Sequence, residues 1–444
     1  MAPTTITDII NSNNFLINSG IAIAPNGERA YVVSSLGLNV IDLASNSVIN
    51  TILSTINPII NTFPPSQNIA ITSDSNTAYV ASGSGGAYNQ GDVRIFDLVS
   101  ETVEVLESHD FNVPTSIALS ADDHTAYVLN SAANGGYPSV SIVDLISKTV
   151  TDTIYDPSFK QPFSIASNGT NLYVTNSGIT SGQGSISIID LNTHYVTTID
   201  LAGVFFPVGI AISPDGNTAY VAGYGLLGGN YFNVLSIDLY TGNPIAALGT
   251  GPNFGTDIAI TPDGKTAYVT NGLNLFLSIP ENVSVIDVTY NTIIKTITDP
   301  EVLPGPWSVA ITPDGTSVYV SDIESFYTSS PIGSVVVLST PKYSASILPP
   351  SSISGCKTRN VFLFQTDYIN NITWTAPTVG TPVSYNIYRD AALTQLAANV
   401  PASGTLQYYD HGRQPNVVYS YYITSVDANG NESIATSVTV TQNC

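Results

Sequence analysis

Short apolar runs of three to six residues alternate with turn residues along the first three quarters of the chain, and no stretch carries helical periodicity. A Tyr-Val pair recurs at Tyr31, Tyr79, Tyr127, Tyr173, Tyr220, Tyr268 and Tyr319, at intervals of 46 to 51 residues. Before each pair lie an apolar run and a turn, clearest in Ile210-Ala-Ile-Ser-Pro-Asp-Gly216, Ile258-Ala-Ile-Thr-Pro-Asp-Gly264 and Val309-Ala-Ile-Thr-Pro-Asp-Gly315. After it come a Gly/Ser/Asn-rich loop and a strand ending in Asp42, Asp97, Asp144, Asp190, Asp238 or Asp287; the seventh copy, Val335-Val-Val-Leu338, lacks the Asp. A fourth strand rich in Thr, Val and Ile closes each unit, as in Thr149-Val-Thr-Asp-Thr-Ile154.

Four β-branched strands per unit, repeated seven times, predict an all-β fold: a seven-bladed β-propeller over residues 1–346. Closure into a ring removes the sheet edges that invite aggregation. The isolated strand Thr4-Thr-Ile-Thr-Asp-Ile-Ile10 is expected to supply the outer strand of the last blade, since the segment after Val335–Leu338 is a weak strand. Pairing of residues 4–10 with a neighbouring molecule is the alternative.

The Pro-Asp-Gly-x-x-x-Tyr-Val-x-Asn run, with Tyr173-Val-Thr-Asn176 and Tyr268-Val-Thr-Asn271 as literal matches, resembles the YVTN-type propellers, a family of surface-layer and lactonase-like proteins. Tyr220-Val-Ala-Gly and Tyr319-Val-Ser-Asp depart at the last position. The resemblance implies fold rather than activity, because the motif residues are structural.

Pro341, Pro349, Pro350 and a Ser cluster mark a boundary, and residues 347–444 carry alternating strands around Trp374, Tyr385 and Tyr419–Val426. This part resembles a fibronectin type III β-sandwich, especially at Tyr388-Arg-Asp390 and in the hairpin Val426–Ser433, which implies a spacer or contact module. In such a sandwich the first and last strands are often neighbours, so a Cys356–Cys444 disulfide is expected, with two unpaired thiols as the alternative. Oxidation implies an extracellular or periplasmic setting.

Charge narrows the function. Eleven Lys and Arg against 33 Asp and Glu give −22, with −1 on residues 347–444 and −21 on the rest. Counterion release from phosphate needs a basic face, so no nucleic-acid partner is expected. No apolar run reaches the roughly 18 residues of a membrane span, and the opening Met1–Asp8 lacks the basic region of a signal peptide. The expected localisation is extracellular or cell-surface, reached as a mature form or by another route.

Long loops between second and third strands, and those before first strands, carry many aromatic residues. Trp307, Phe163, Tyr231, Phe232, Tyr88 and Tyr137 are the candidate ligand-binding residues, with Asp257 at the expected mouth of the central channel. Rings offer flat apolar faces and amides fix hydroxyls or backbone, which suits a glycan, a protein or another copy of the chain. Rings folding back to order the loops are the competing explanation. No metal site is expected, because Asp257 is the one carboxylate among the residues ringing that mouth, and no cofactor motif occurs. The expected function is non-enzymatic recognition or assembly, with no catalytic residues. The alternative is a lactonase-like hydrolase with His109 as its base, near Glu107 and Asp110.

Overall fold

The computed structural model describes residues 4–444 apart from 17–19, 55–68, 84–90, 133–135, 178–182, 202–203, 228–229, 250–252, 273–279, 324–331, 340–348, 362–365, 378–380, 390–394, 416, 429–431, 434 and 442. These residues form strands and turns without a helix. They divide into two compact units: Ile6–Leu338, and Met1–Thr5 with Ser339–Cys444.

In the larger unit every strand but the first pairs with its sequence neighbours, which is what short antiparallel hairpins allow. Sheet I is Ile21–Ile23, Arg29–Ser34, Gly37–Asp42 and Ser47–Leu53. Sheet II begins at Ile69–Ile71, sheet III at Pro114–Leu119, sheet IV at Pro162–Ser167, sheet V at Val204–Ile212 and sheet VI at Asp257–Ile260; each continues through the next three strands. Sheet VII is Pro306–Ile311, Ser317–Asp322 and Ile332–Ser339, with Ile6–Leu16 as its outer strand. There Ile6 opposes Leu338 and Ile10 opposes Val335. The first strand of each sheet contacts that of the next, and sheet VII contacts sheet I.

The Tyr-Val pair explains this arrangement. Successive strand residues face opposite sides, so each Tyr enters the core shared with the following sheet and each Val the core shared with the preceding one. Tyr31 packs with Val80 and Phe96 of sheet II, whereas Val32 packs with Val335 and Val337 of sheet VII. Tyr319 of sheet VII in turn packs against Ile21 and Ala30 of sheet I. The apolar core therefore lies between sheets, and burying it requires a neighbour on both sides.

The tyrosine hydroxyls add a polar link. Tyr220 donates to Asn291 Oδ1 at 2.9 Å and Tyr319 to Asn46 Oδ1 at 2.6 Å, in each case in the following sheet. Both Asn residues turn the chain at positive φ, 49° and 48°, a conformation Asn tolerates better than most residues. Burial pushes both phenols up to about 12. The third-strand Asp carboxylates cap the turns that follow: Asp97 accepts the amides of Val99 and Ser100 at 2.9 and 2.7 Å, and Asp144 those of Ile146 and Ser147 at 3.0 and 2.6 Å.

The smaller unit holds two sheets, Ser351–Val361, Thr366–Thr375 and Gln407–Asp410 in one, and Leu396–Pro401, Ser384–Tyr388, Tyr419–Val426 and Thr436–Val440, in that order, in the other. Ile372 and Trp374 of the first pack against Tyr385, Ile387, Tyr421 and Ile423 of the second. Cys356 and Cys444 are disulfide-bonded across a sequence separation of 88. Asp410, almost fully buried, accepts from Nε and one terminal guanidinium nitrogen of Arg389, at 3.1 and 2.7 Å, and from the Tyr421 hydroxyl at 2.7 Å.

Candidate functional site

Two of the repeat's polar positions turn inward. The Asn closing the Tyr-Val-x-Asn run, at 130, 176 and 271, ends the second strand of sheets III, IV and VI, where its side chain is buried. Asn130 donates to Ser139 and Ser141 at 3.1 and 2.9 Å and accepts the Asn112 amide at 3.1 Å. Asn176 repeats the set with Ser185, Ser187 and the Lys160 amide. A buried amide satisfied on both ends fixes the loop entering the sheet, and nothing in it is free for chemistry.

Ser116, Asp257 and Ser308, which lie within the first strands of their sheets, are also committed. Ser116 accepts the Ile165 amide of the next sheet at 3.2 Å, and Ser308 that of Ile21 at 3.4 Å. Asp257, 2% exposed, accepts from its own neighbour Ile258 at 2.8 Å, from the Ser308 hydroxyl at 2.7 Å and from Val309 at 3.1 Å. Its charge is spent in joining sheets VI and VII, so it does not face a channel mouth as an available ligand.

The expected aromatic set separates on the same test. Trp307, at 4% exposure, sits on the first strand of sheet VII. Phe232, at 5%, belongs to the core between sheets IV and V, its ring lying over Gly225 so closely that a Cβ there would meet it at 2.2 Å. Both rings are structural, because a ring whose faces are covered offers nothing to a ligand. Phe163 is half-buried on Pro162–Ser167, Tyr137 stands 80% exposed before Ser139–Asp144, and Tyr88 lies outside the described residues.

What the structure gathers is a cluster on sheet V. Its second and third strands, Thr218–Leu227 and Asn230–Asp238, run longer than those of the other sheets, so a region expected to be loop is paired strand. Gly225 opposes Phe232 and Leu226 opposes Tyr231. The two-residue alternation sends Phe232 inward, and Tyr231 with Leu226 outward, at 41% and 38% exposure. Tyr224 stacks on Phe254 at a centroid separation of 4.6 Å and 13°. Tyr231 lies 5.6 Å from Tyr224, and Phe206 5.7 Å from Phe254. Burial, then the neighbouring Tyr231 phenol, raises the Tyr224 hydroxyl above its ordinary value, which keeps it a neutral donor and acceptor near pH 7. The result is an apolar step edged by hydroxyls.

Sequence reasoning singled out Tyr231 and left Tyr224 and Phe206 unselected among the loop aromatics; Phe254, at 7% exposure, is the covered ring on which Tyr224 stacks. The available signal was the alternation of Gly and aromatic residues in Gly223-Tyr-Gly225, which marks a strand with one face stripped of side chains. His109 is exposed in the turn before sheet III, where Asp110 accepts from the Ser108 hydroxyl at 3.1 Å. Among the described residues no three His, Cys, Asp or Glu side chains gather as they would around a metal ion.

The sequence matches no protein-family model and no curated protein. Among solved structures, a chain described as Kuenenia stuttgartiensis hydrazine synthase aligns with a TM-score of 0.56 at 18% identity, covering 76% of this chain and 97% of that one. At that identity the likeness is one of fold. Together with the repeated four-stranded antiparallel sheets it makes this protein a β-propeller.

Proposed function

We propose that the chain is a seven-bladed propeller of YVTN type carrying a fibronectin type III-like module, and that it is a non-enzymatic binding protein of the cell surface or extracellular space. Its ligand is a glycan that stacks a sugar face on Tyr231 and Tyr224. The observation that carries this reading is the ring cluster on sheet V, where Tyr231 stands exposed beside the half-buried Tyr224, itself stacked on the buried Phe254. Phenol hydroxyls at its rim supply the hydrogen bonds that fix a sugar's orientation. The seven inter-sheet cores support the blade count, and the three-plus-four strand order of the small unit supports the fibronectin-like assignment. The disulfide supports an oxidising compartment.

A glycan array probed with the full chain, followed by titration calorimetry on the best ligand, tests the proposal. Tyr231→Ala and Tyr224→Ala should each weaken binding about tenfold, the loss of about 1.4 kcal/mol expected for one stacked ring. Tyr137→Ala, outside the cluster, should leave affinity unchanged. An array without retained glycans, or binding indifferent to Tyr231, overturns it.

A further inference from the structure

Charge is distributed between the two units in a way that fold alone does not demand. Ile6–Leu338 carries six Lys or Arg and 28 Asp or Glu, whereas the smaller unit has five of each. Three of those five basic residues, Lys357, Arg359 and Arg413, line one groove of about 820 Å³, walled by Tyr368, Pro415 and Val418. The strand Ser351–Val361 is hydrogen-bonded to Thr366–Thr375 on one side. On its other side the chain accompanies it at Lys357, whose carbonyl accepts the Cys444 amide at 2.9 Å. Lys357 and Arg359 thus stand together on a strand at the rim of its sheet.

Their surroundings leave these charges unanswered. Among the described residues, ion pairs reach Asp410 from Arg389 and Arg413 and Asp367 from His411, but none reaches Lys357 or Arg359. The polar partner of Lys357 Nζ is the neutral carbonyl of Pro415 at 3.5 Å, and the Arg413 guanidinium lies over the Tyr419 ring at 5.4 Å. In a chain with three acidic side chains for every basic one, two adjacent cations that no acidic side chain pairs with mark a surface shaped for an external anion.

We propose that this groove is an assembly surface and that its occupant is the acidic surface of a second copy of the chain, held by Lys357 and Arg359. The complementary partner is present on every molecule at equal abundance, with a net charge of −22 confined to Ile6–Leu338. Contact between a basic groove and a different, acidic surface is heterologous, so it propagates head to tail instead of stopping at a dimer. Exposed charges attract over about 10 Å at 0.1 M salt, which makes the association salt-sensitive. The inference is independent of the aromatic step on sheet V.

Light scattering and sedimentation velocity on the full chain, at about 0.02 M and about 0.5 M salt, provide the test. Mass should rise with protein concentration at low salt and return to that of one chain at high salt. The double reversal Lys357→Glu, Arg359→Glu should abolish the rise, whereas Lys148→Glu with Lys265→Glu, the same charge change outside the groove, should preserve it. Both altered side chains in the groove reach solvent, so an unchanged circular dichroism spectrum and melting temperature accompany the expected loss. The reversed chain retains its acidic surface, so adding it to wild type at low salt should cap growing assemblies and lower the mean mass. A single-chain mass at every low-salt concentration, association indifferent to the groove reversal, or binding of the groove to acidic glycans without self-association would each overturn the proposal.

Discussion

Each unit ties its beginning to its end, and the two do so by different means. In the larger unit Ile6–Leu16 lies against Ile332–Ser339, more than 300 residues away, through backbone pairing and the burial of Ile10 and Phe15. In the smaller unit the tie is the covalent bond from Cys356 to Cys444. A paired strand closes sheet VII and completes the core against sheet I, so its strength is that of every other interface in the array. A disulfide acts mainly on the unfolded chain, and it depends on redox conditions that leave the repeat untouched. Repetition removes the need for a special fastener; a two-sheet unit of about 100 residues, with one core, uses one.

Removing the strand should have the largest effect. Ile10 and Phe15 each contribute about 2–3 kcal/mol by burial, so losing them with their ladder should cost about 5 kcal/mol or more. Deletion of residues 1–16 should therefore lower the calorimetric transition of the larger unit by about 10 °C. A peptide of residues 4–16 supplied in trans should restore much of that stability. An unchanged transition would show that sheet VII is complete with three strands and would break the comparison at its stronger half.

Reduction should come next in size and act on the other unit alone. In the chain-entropy account, opening a loop of this length removes about 4.6 kcal/mol. Cys356→Ser with Cys444→Ser, or reductant added to the native protein, should lower the transition of the smaller unit and leave that of the larger one in place. If both transitions move together, the two units do not unfold separately, and closure in one is coupled to closure in the other.

How far these features could be read beforehand follows from what each one depends on. The Tyr-Val pair, the Pro-Asp-Gly turns and the third-strand Asp were legible because each does a local job that the sequence repeats: two faces of one strand, one turn, one cap. The inward rings Trp307 and Phe232 were not, since whether a ring is covered depends on strand length and on the neighbouring sheet. Sheet V shows the difficulty: Gly223 and Gly225 look like loop residues, yet they continue a strand whose bare face receives Phe232. Asp257 failed for a related reason. Its position was predictable, but its three donors come from the local backbone and the next sheet, so its commitment appears only once sheet VII is beside it.

The smallest effect tests whether the repeat shares its load evenly. Tyr220→Phe removes the hydroxyl that bonds Asn291 and keeps the ring in its core, so the cost should be about 1 kcal/mol at neutral pH. The pH dependence follows from the raised phenol. Folding favours the neutral form, so the contribution of Tyr220 is complete below the ordinary phenol value of 10.0 and is lost as pH rises through about 12. Burial raises Tyr31, Tyr79, Tyr127, Tyr173 and Tyr319 in the same direction, which predicts that the larger unit softens in several small steps as pH rises above 10. Melting temperature followed across that range should fall less steeply in Tyr220→Phe than in wild type, and by a similar margin in Tyr319→Phe. Equal margins mean that no single interface dominates; a collapse caused by one replacement would locate a keystone that the repeat conceals.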